Sequence, residues 1–176
     1  YLGQAFFDKN WEGFKQISFS SIVFAFLASV GVLIIVFNPI FDILNLIGID
    51  KKFFITIIFV VIGNSLINTT NGILTSALKN TKIIIPTSIS SASRFVVLFS
   101  IIYFYDISEL IVAYAYTAYY PILGTFMIII TAVYLKSIPG KIKFNPQKLK
   151  LVLRGSLANW VPNVTELIGI QMGILT

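Results

Sequence analysis

Long apolar stretches separated by short polar segments constrain the fold of this chain more than any other feature. A helix needs roughly 20 predominantly apolar residues to cross the hydrocarbon core of a bilayer. Four stretches reach that length, namely Ser18 to Phe37, Phe53 to Leu78, Ile83 to Phe104 and Leu110 to Leu135. A fifth begins near Gly155 and continues to the last residue. The pattern predicts an all-α integral membrane protein, a polytopic bundle of transmembrane helices.

The composition excludes several classes of protein. Hydrophobic residues make up 57% of the chain and charged residues 11%, whereas about a quarter of an average soluble domain is charged. The chain has no cysteine and no histidine, so disulfide frameworks, thiolate nucleophiles, Cys/His zinc sites and histidine acid–base catalysis are excluded. Because it starts without methionine and stops inside an apolar run, we expect a fragment of a longer protein.

The distribution of lysine and arginine predicts the orientation, because loops that stay in the cytoplasm carry an excess of basic residues. Segments 1–17, 79–82 and 136–154 lie on one side of the predicted membrane and hold two, two and six basic residues. Segments 38–52 and 105–109 lie on the other side and hold two and none. We therefore expect a multi-pass protein of the cell membrane with segments 1–17, 79–82 and 136–154 in the cytoplasm.

The net charge of +6 does not indicate a nucleic-acid partner. The lysines lie at helix ends, where the positive-inside bias and attraction to anionic membrane lipids explain them. In the basic segment, Asn145 is suited to cap a helix that has Pro146 at its first position. We expect a short basic amphipathic helix at the cytoplasmic interface.

Amides in the second span form a polar stripe. Asn64, Asn68, Asn71 and Thr75 follow spacings of four, three and four residues, which place them on one helical face. Polar side chains at such positions either hold neighbouring helices together by hydrogen bonds or line a polar cavity. Both interpretations stay open at this point.

Arg94 is the one charged residue of the third span, with Ser91 on its cytoplasmic side. It lies 12 residues from both Lys82 and Asp106, which mark the two ends of the span. That is about 18 Å along the helix, too far to reach water by snorkelling. Facing lipid at mid-bilayer would cost about 2.5 to 3.5 kcal/mol, so Arg94 should face the protein interior or a water-filled cavity. It could pair with Glu166, or its guanidinium could bind a phosphate through a bidentate fork.

The last two spans also carry polar residues. In the fourth span, the tyrosines before Pro121 are typical of an interfacial belt. Pro121 itself predicts a simple kink. In the truncated fifth span, Asn159, Asn163 and Glu166 follow one another closely. This pattern predicts a broken or cavity-facing helix, of the kind that transporters use at substrate and ion sites.

Four sequence motifs carry a resemblance to a known family. YLGQAFFDKNWEGFKQ precedes the first span, NPIFDILNLIG follows it, GILTSALKNTK closes the second span, and LVLRGSLANWVPNVTELIGIQMG follows the basic segment. In order and spacing they resemble the Wzx-like polysaccharide-export branch of the multidrug/oligosaccharidyl-lipid/polysaccharide (MOP) flippase superfamily. The resemblance implies twelve to fourteen helices in two lobes around a central cavity. Residues 1–135 would belong to the N-terminal lobe, 136–154 to the inter-lobe linker and 155–176 to the start of the C-terminal lobe.

What the resemblance implies is transport without a covalent step, and hence neither an enzyme nor a cofactor. A lipid-linked oligosaccharide or polysaccharide precursor, carrying phosphate or pyrophosphate, would enter the cavity and cross the membrane by alternating access. Sodium or protons would be the coupling ion, and polysaccharide assembly proteins would be further partners. The candidate substrate-binding residues are Arg94, Asn64, Asn68, Asn71, Ser91, Asn159, Asn163 and Glu166.

Three alternatives remain. Cation-coupled multidrug exporters share the family fold, but their cavities need carboxylates, and the four complete spans contain none. A membrane glycosyltransferase or lipid phosphotransferase would need clustered carboxylates to hold a metal or act as a base, whereas the seven acids are dispersed. A non-transporting membrane scaffold is the third.

Overall fold

The computed structural model describes residues 1–39, 51–104, 108–148, 150 and 152. Its helices, in chain order, are α1 (Leu2–Phe7), α2 (Trp11–Val36), α3 (Phe54–Ser76), α4 (Thr81–Phe104), α5 (Glu109–Thr117) and α6 (Tyr119–Ser137). A 3-10 turn, Lys51–Phe53, precedes α3, and these described ranges contain no strand. Helices α2, α3 and α4 and the α5–α6 segment are each long and apolar enough to cross a membrane. The prediction of an all-α polytopic membrane protein is confirmed.

Helix α2 begins at Trp11, seven residues before the apolar run that predicts it. The side chain of Asn10 caps the helix, since its Oδ1 accepts a hydrogen bond from the backbone N–H of Gly13 at 2.9 Å. The first turns contain Glu12 and Lys15, and a hydropathy pattern does not detect such polar turns. The backbone hydrogen bonds nevertheless continue from these turns into the membrane-spanning part.

Contacts between the helices define two ends of the bundle. At one end, the Nζ of Lys15 in α2 donates to the carbonyl of Gly140 at 2.7 Å, and the Nζ of Lys82 in α4 lies 5.5 Å from the ring centroid of Tyr134 in α6. At the opposite end, the rings of Phe37 and Phe54 stack with centroids 3.7 Å apart. The spans therefore alternate in direction, as the sequence predicts.

We call the first of these the lysine-rich end. It comprises described residues 1–17, 77–82, 136–148 and 150 and holds Lys9, Lys15, Lys79, Lys82, Lys136, Lys141, Lys143, Lys148 and Lys150. Bringing these segments together agrees with the grouping of basic residues that the sequence predicts. The predicted fifth span beginning near Gly155 lies outside the described residues.

The core lies where α3 crosses α6, the largest interhelical contact among the described elements. Gly63 of α3 faces the backbone of Tyr120, and Gly124 of α6 faces the backbone of Gly63. Small residues let helix backbones approach closely in a membrane protein, where packing rather than water exclusion holds helices together. Around this crossing, Leu74, Leu123 and other apolar side chains are buried.

Helices α2 and α4 pack on either side of the α3–α6 pair. Helix α2 contacts α3, and α4 contacts α6 and α5. Most of α4 is exposed, since only 6% of its most apolar 18-residue stretch is buried. Its exposed side chains include Ile89, Phe95 and Phe99. These apolar surfaces suit contact with lipid or with further helices.

The fourth predicted span is interrupted at a single residue, Ala118, whose backbone stays in the right-handed helical region with φ of −58° and ψ of −22°, so the span is kinked, as the sequence predicts. Helix α5 ends at Thr117 and α6 begins at Tyr119. Pro121 has no N–H to donate to the carbonyl of Thr117, four residues before it, and its ring clashes with that carbonyl. The hydrogen-bonding of the helix is therefore interrupted about one turn before the proline. The break lies beside α4, at the level of Arg94.

Candidate functional site

A groove of about 650 Å³, lined by apolar residues and by a row of polar ones, lies between α2 and α3. We call it the α2–α3 groove. Its size is within the range of small-molecule binding pockets. None of the described residues that line it is charged. Its polar lining consists of Ser21, Ser29, Asn64, Ser65, Asn68 and Thr69.

The hydroxyl groups of the groove are already hydrogen-bonded to the helix backbones. Ser29 donates to the carbonyl of Ala25 at 2.8 Å, and Ser65 of α3 donates across to the same carbonyl at 3.3 Å. Such local bonding occupies the hydroxyl proton and leaves the oxygen lone pairs as acceptors. The second bond also ties α3 to α2 along the groove.

Asn64 and Asn68 supply the unoccupied hydrogen-bonding groups of the groove. Both side chains are exposed, both line the groove, and no hydrogen bond to either amide is present among the described residues. A side-chain amide offers two N–H donors and a carbonyl acceptor. Two amides one turn apart can therefore bind a ligand that presents both donors and acceptors, such as the hydroxyl groups of a sugar.

Only part of the predicted amide stripe lines this groove. Asn71 is half-buried and Thr75 is exposed, and neither is among the groove-lining residues. The Oδ1 of Asn71 is buried without a hydrogen-bond partner in the described part of the chain. The reason is the position of α2, which contacts α3 at Ser65, so the groove lies to one side of the stripe.

Arg94 lies at a second, smaller cavity of about 170 Å³ between α4 and the α5–α6 break. Ser90, Ser93 and Val97 line it from α4, and Ala118 and Tyr119 are among the residues that line it from the break. We call it the arginine cavity. Arg94 is half-buried at this position, between α4 and the α5–α6 break.

Two tyrosine rings hold the guanidinium group of Arg94. Its Cζ lies 4.5 Å from the ring centroid of Tyr116 and 4.7 Å from that of Tyr119. Since Arg94 is half-buried and Tyr116 is exposed, each cation–π contact contributes about 0.5–1 kcal/mol. The Nε atom is buried and has no hydrogen-bond partner among the residues that the structure describes. A guanidinium N–H of this kind is a donor suited to the oxygen of an oxyanion.

The structure divides the predicted site residues between separate places. Asn64 and Asn68 line the α2–α3 groove, whereas Arg94 lines the arginine cavity, and no described residue lines both. Ser91 is half-buried and lines neither of them, because it lies on the other flank of Arg94 from Ser90. The remaining candidates, Asn159, Asn163 and Glu166, lie outside the described residues, so the predicted pairing of Arg94 with Glu166 is not tested.

Sequence reasoning missed the partners of Arg94. It identified the tyrosines before Pro121 as an interfacial belt, but Tyr116 and Tyr119 contact the guanidinium group. A usable signal was present, since antiparallel third and fourth spans bring the middle of one beside the middle of the other. On α2, Ser21 and Ser29 were also missed; their spacing of eight residues, about two turns, places both on the groove side.

Within the described ranges there is no group of three or more acidic, histidine or cysteine side chains that could hold a metal ion. The chain matches no protein-family model, no curated protein and no solved structure. Its function is therefore inferred from the chemistry of the groove and the cavity, together with the motifs in its sequence.

Proposed function

We propose that the chain is part of a membrane transporter, a flippase that moves a lipid-linked oligosaccharide or polysaccharide precursor across the cell membrane by alternating access. The observation that carries this proposal is the α2–α3 groove, which presents two unpaired amides and several hydroxyl oxygens inside a membrane-spanning bundle. Such groups are expensive to leave facing hydrocarbon. A polar solute that passes through the membrane gives them a partner.

The groove favours the uncharged, hydroxyl-rich part of such a substrate. Asn64 and Asn68 can each donate to one hydroxyl and accept from a neighbouring one. The described lining contains no ammonium, guanidinium or carboxylate group, so a charged ligand would find no counterion there. The sugar moiety of a lipid-linked precursor meets both conditions.

Arg94 is suited to the phosphate or pyrophosphate that joins sugar to lipid. Its Nε is unpaired among the described residues, and guanidinium groups bind phosphate oxygens with short, charge-assisted hydrogen bonds. The arginine cavity lies beside the exposed apolar face of α4. An acyl or prenyl chain could lie along that face while its phosphate approaches Arg94.

A cation-coupled multidrug exporter is the alternative proposal within the same superfamily. Binding of sodium or a proton there would require a carboxylate in the groove or the cavity, and none is among their described lining residues. Arg94 would repel a cationic drug. We therefore favour the anionic lipid-linked substrate, with the lysine-rich end in the cytoplasm.

The test uses the full-length protein reconstituted in vesicles with a fluorescent lipid-linked sugar pyrophosphate. Transport is measured as the growth of the fraction bleached by a membrane-impermeant reductant. We expect Asn64→Leu with Asn68→Leu, and separately Arg94→Gln, to lower the rate at least tenfold. Arg94→Lys should retain part of the activity, because lysine keeps the charge and loses the planar fork.

The matched control is Thr75→Leu, which changes a polar residue of the same helix outside the groove lining. It should leave transport within about twofold of the unmodified protein. Folding is followed by thermal unfolding in detergent. Unchanged transport by well-folded Asn64→Leu/Asn68→Leu and Arg94→Gln proteins would contradict the proposal, as would transport of a cationic dye in place of the lipid-linked sugar.

A further inference from the structure

Apolar side chains are exposed in the basic segment that follows α6. Residues 139–144 are exposed throughout. In this stretch Lys141, Ile142, Lys143 and Phe144 alternate charged and apolar side chains, with Ile142 40% and Phe144 46% exposed. Exposure of an isoleucine and a phenylalanine to water is unfavourable, and here both lie among lysines. A surface with anionic groups outside and hydrocarbon beneath would bury the apolar side chains and neutralise the lysines.

The segment is held in place at both ends rather than trailing freely. The carbonyl of Gly140 accepts a hydrogen bond from the buried Nζ of Lys15 at 2.7 Å. Five residues later, the Nδ2 of Asn145 donates to the side chain of Gln16 at 3.1 Å. Both anchors belong to the first turns of α2, and the segment leaves the end of α6. It therefore lies where two membrane-spanning helices meet the membrane surface.

The chain continues into a short helix that adds further lysines. The Oδ1 of Asn145 accepts from the backbone N–H of Gln147 at 3.0 Å and of Lys148 at 3.4 Å, and residues 146–148 are helical. The predicted cap at Asn145 is thus confirmed. Lys148 and Lys150 continue the positive charge of the segment.

We propose that residues 141–144 form a docking site for anionic phospholipid, with the phosphate groups held by Lys141 and Lys143 and the acyl region reached by Ile142 and Phe144. Charge complementarity selects an anionic partner, because the described residues of the lysine-rich end hold nine lysines against two acids, Asp8 and Glu12. The exposed apolar pair favours a lipid over a nucleic acid or an acidic peptide. The proposal does not depend on what the protein transports.

The test titrates purified full-length protein in uncharged detergent with short-chain phosphatidylglycerol, with phosphatidylcholine of the same chain length as the neutral reference. Native mass spectrometry gives the apparent Kd of each lipid. A lysine near an anionic lipid surface strengthens binding about fivefold. Lys141→Gln with Lys143→Gln should therefore weaken phosphatidylglycerol binding about thirtyfold and leave phosphatidylcholine unchanged. Lys52→Gln, at the opposite end, is the matched charge control and should change neither.

A second variant separates a lipid from a free anion. Ile142→Ser with Phe144→Ser keeps both lysines and should still weaken phosphatidylglycerol binding, and inorganic phosphate should not displace the lipid. The proposal is overturned if the double lysine variant binds phosphatidylglycerol as the unmodified protein does, or if Lys52→Gln weakens it equally. It is also overturned if inorganic phosphate displaces the lipid completely, or if an oligonucleotide binds the segment and phosphatidylglycerol cannot displace it.

Discussion

Replacing Gly63 by alanine places a methyl group inside the closest contact of the bundle. An ideal Cβ at this position would lie 2.6 Å from the carbonyl oxygen of Tyr120 in α6, whereas ordinary contacts begin near 3.4 Å. The obstacle is backbone, so no side chain can rotate away. The carbonyl carbon of Tyr120 is closer still, so helices α3 and α6 would have to separate by roughly 1 Å at their largest mutual contact.

The expected loss of stability follows from two opposing terms. Overpacking a well-packed contact costs typically 1–3 kcal/mol, and in a helix interior alanine is favoured over glycine by up to about 1 kcal/mol. We therefore expect Gly63→Ala to destabilise the bundle by about 1–2 kcal/mol. For a chain of this length, that corresponds to a fall of roughly 2–8 °C in Tm.

The matched control is Gly31→Ala in α2, where an added Cβ would meet nothing within 4 Å. It receives the same helix-propensity gain without the clash, so its Tm should be equal to or above that of the unmodified protein. Both variants are measured by thermal unfolding in detergent, followed by tryptophan fluorescence. If Gly63→Ala unfolds at or above the temperature of Gly31→Ala, the close crossing of α3 and α6 is wrong.

Two further predictions concern the ends of the helices. Leu78 follows α3 in the left-handed region, with φ of +56°. Leu78→Gly should therefore raise stability by about 1 kcal/mol in the same unfolding measurement. A lower Tm would instead show that the leucine side chain makes stabilising contacts. Single cysteines at Asn45 and Asp106 should react with an impermeant thiol reagent outside intact cells, whereas those at Asn80 and Lys143 should not; reversed labelling would invert the predicted orientation.

The span count and the alternation of the helices were available from the sequence, because both follow from local properties. A segment that crosses lipid must satisfy its own backbone hydrogen bonds, so an apolar run of sufficient length has to be helical. Short connections then force neighbouring spans to alternate. The cap at Asn145 was equally local, since an Asn-Pro pair serves the first turn of the helix that it begins.

The beginning of α2 was predicted less well than the kink before Pro121. Polar turns such as those around Glu12 and Lys15 have no hydropathy signature, although Asn10 is a recognisable cap. For Pro121, the residue type predicts a kink in the helix, but the size of the kink depends on the helices that pack beside it. Here the cation–π contacts with α4 hold the rings of Tyr116 and Tyr119 on either side of the break.

Only the tertiary structure decided which polar residues share a cavity. Spacing along α3 placed Asn64, Asn68 and Asn71 on one face, but the position of α2 selected the first two for the groove. Likewise, the sequence predicted that Arg94 avoids lipid, yet nothing local indicated that two tyrosine rings would contact it. Helix periodicity describes one helix at a time, whereas a cavity depends on which helix packs beside it, and contacts such as Gly63 against Tyr120 determine that choice.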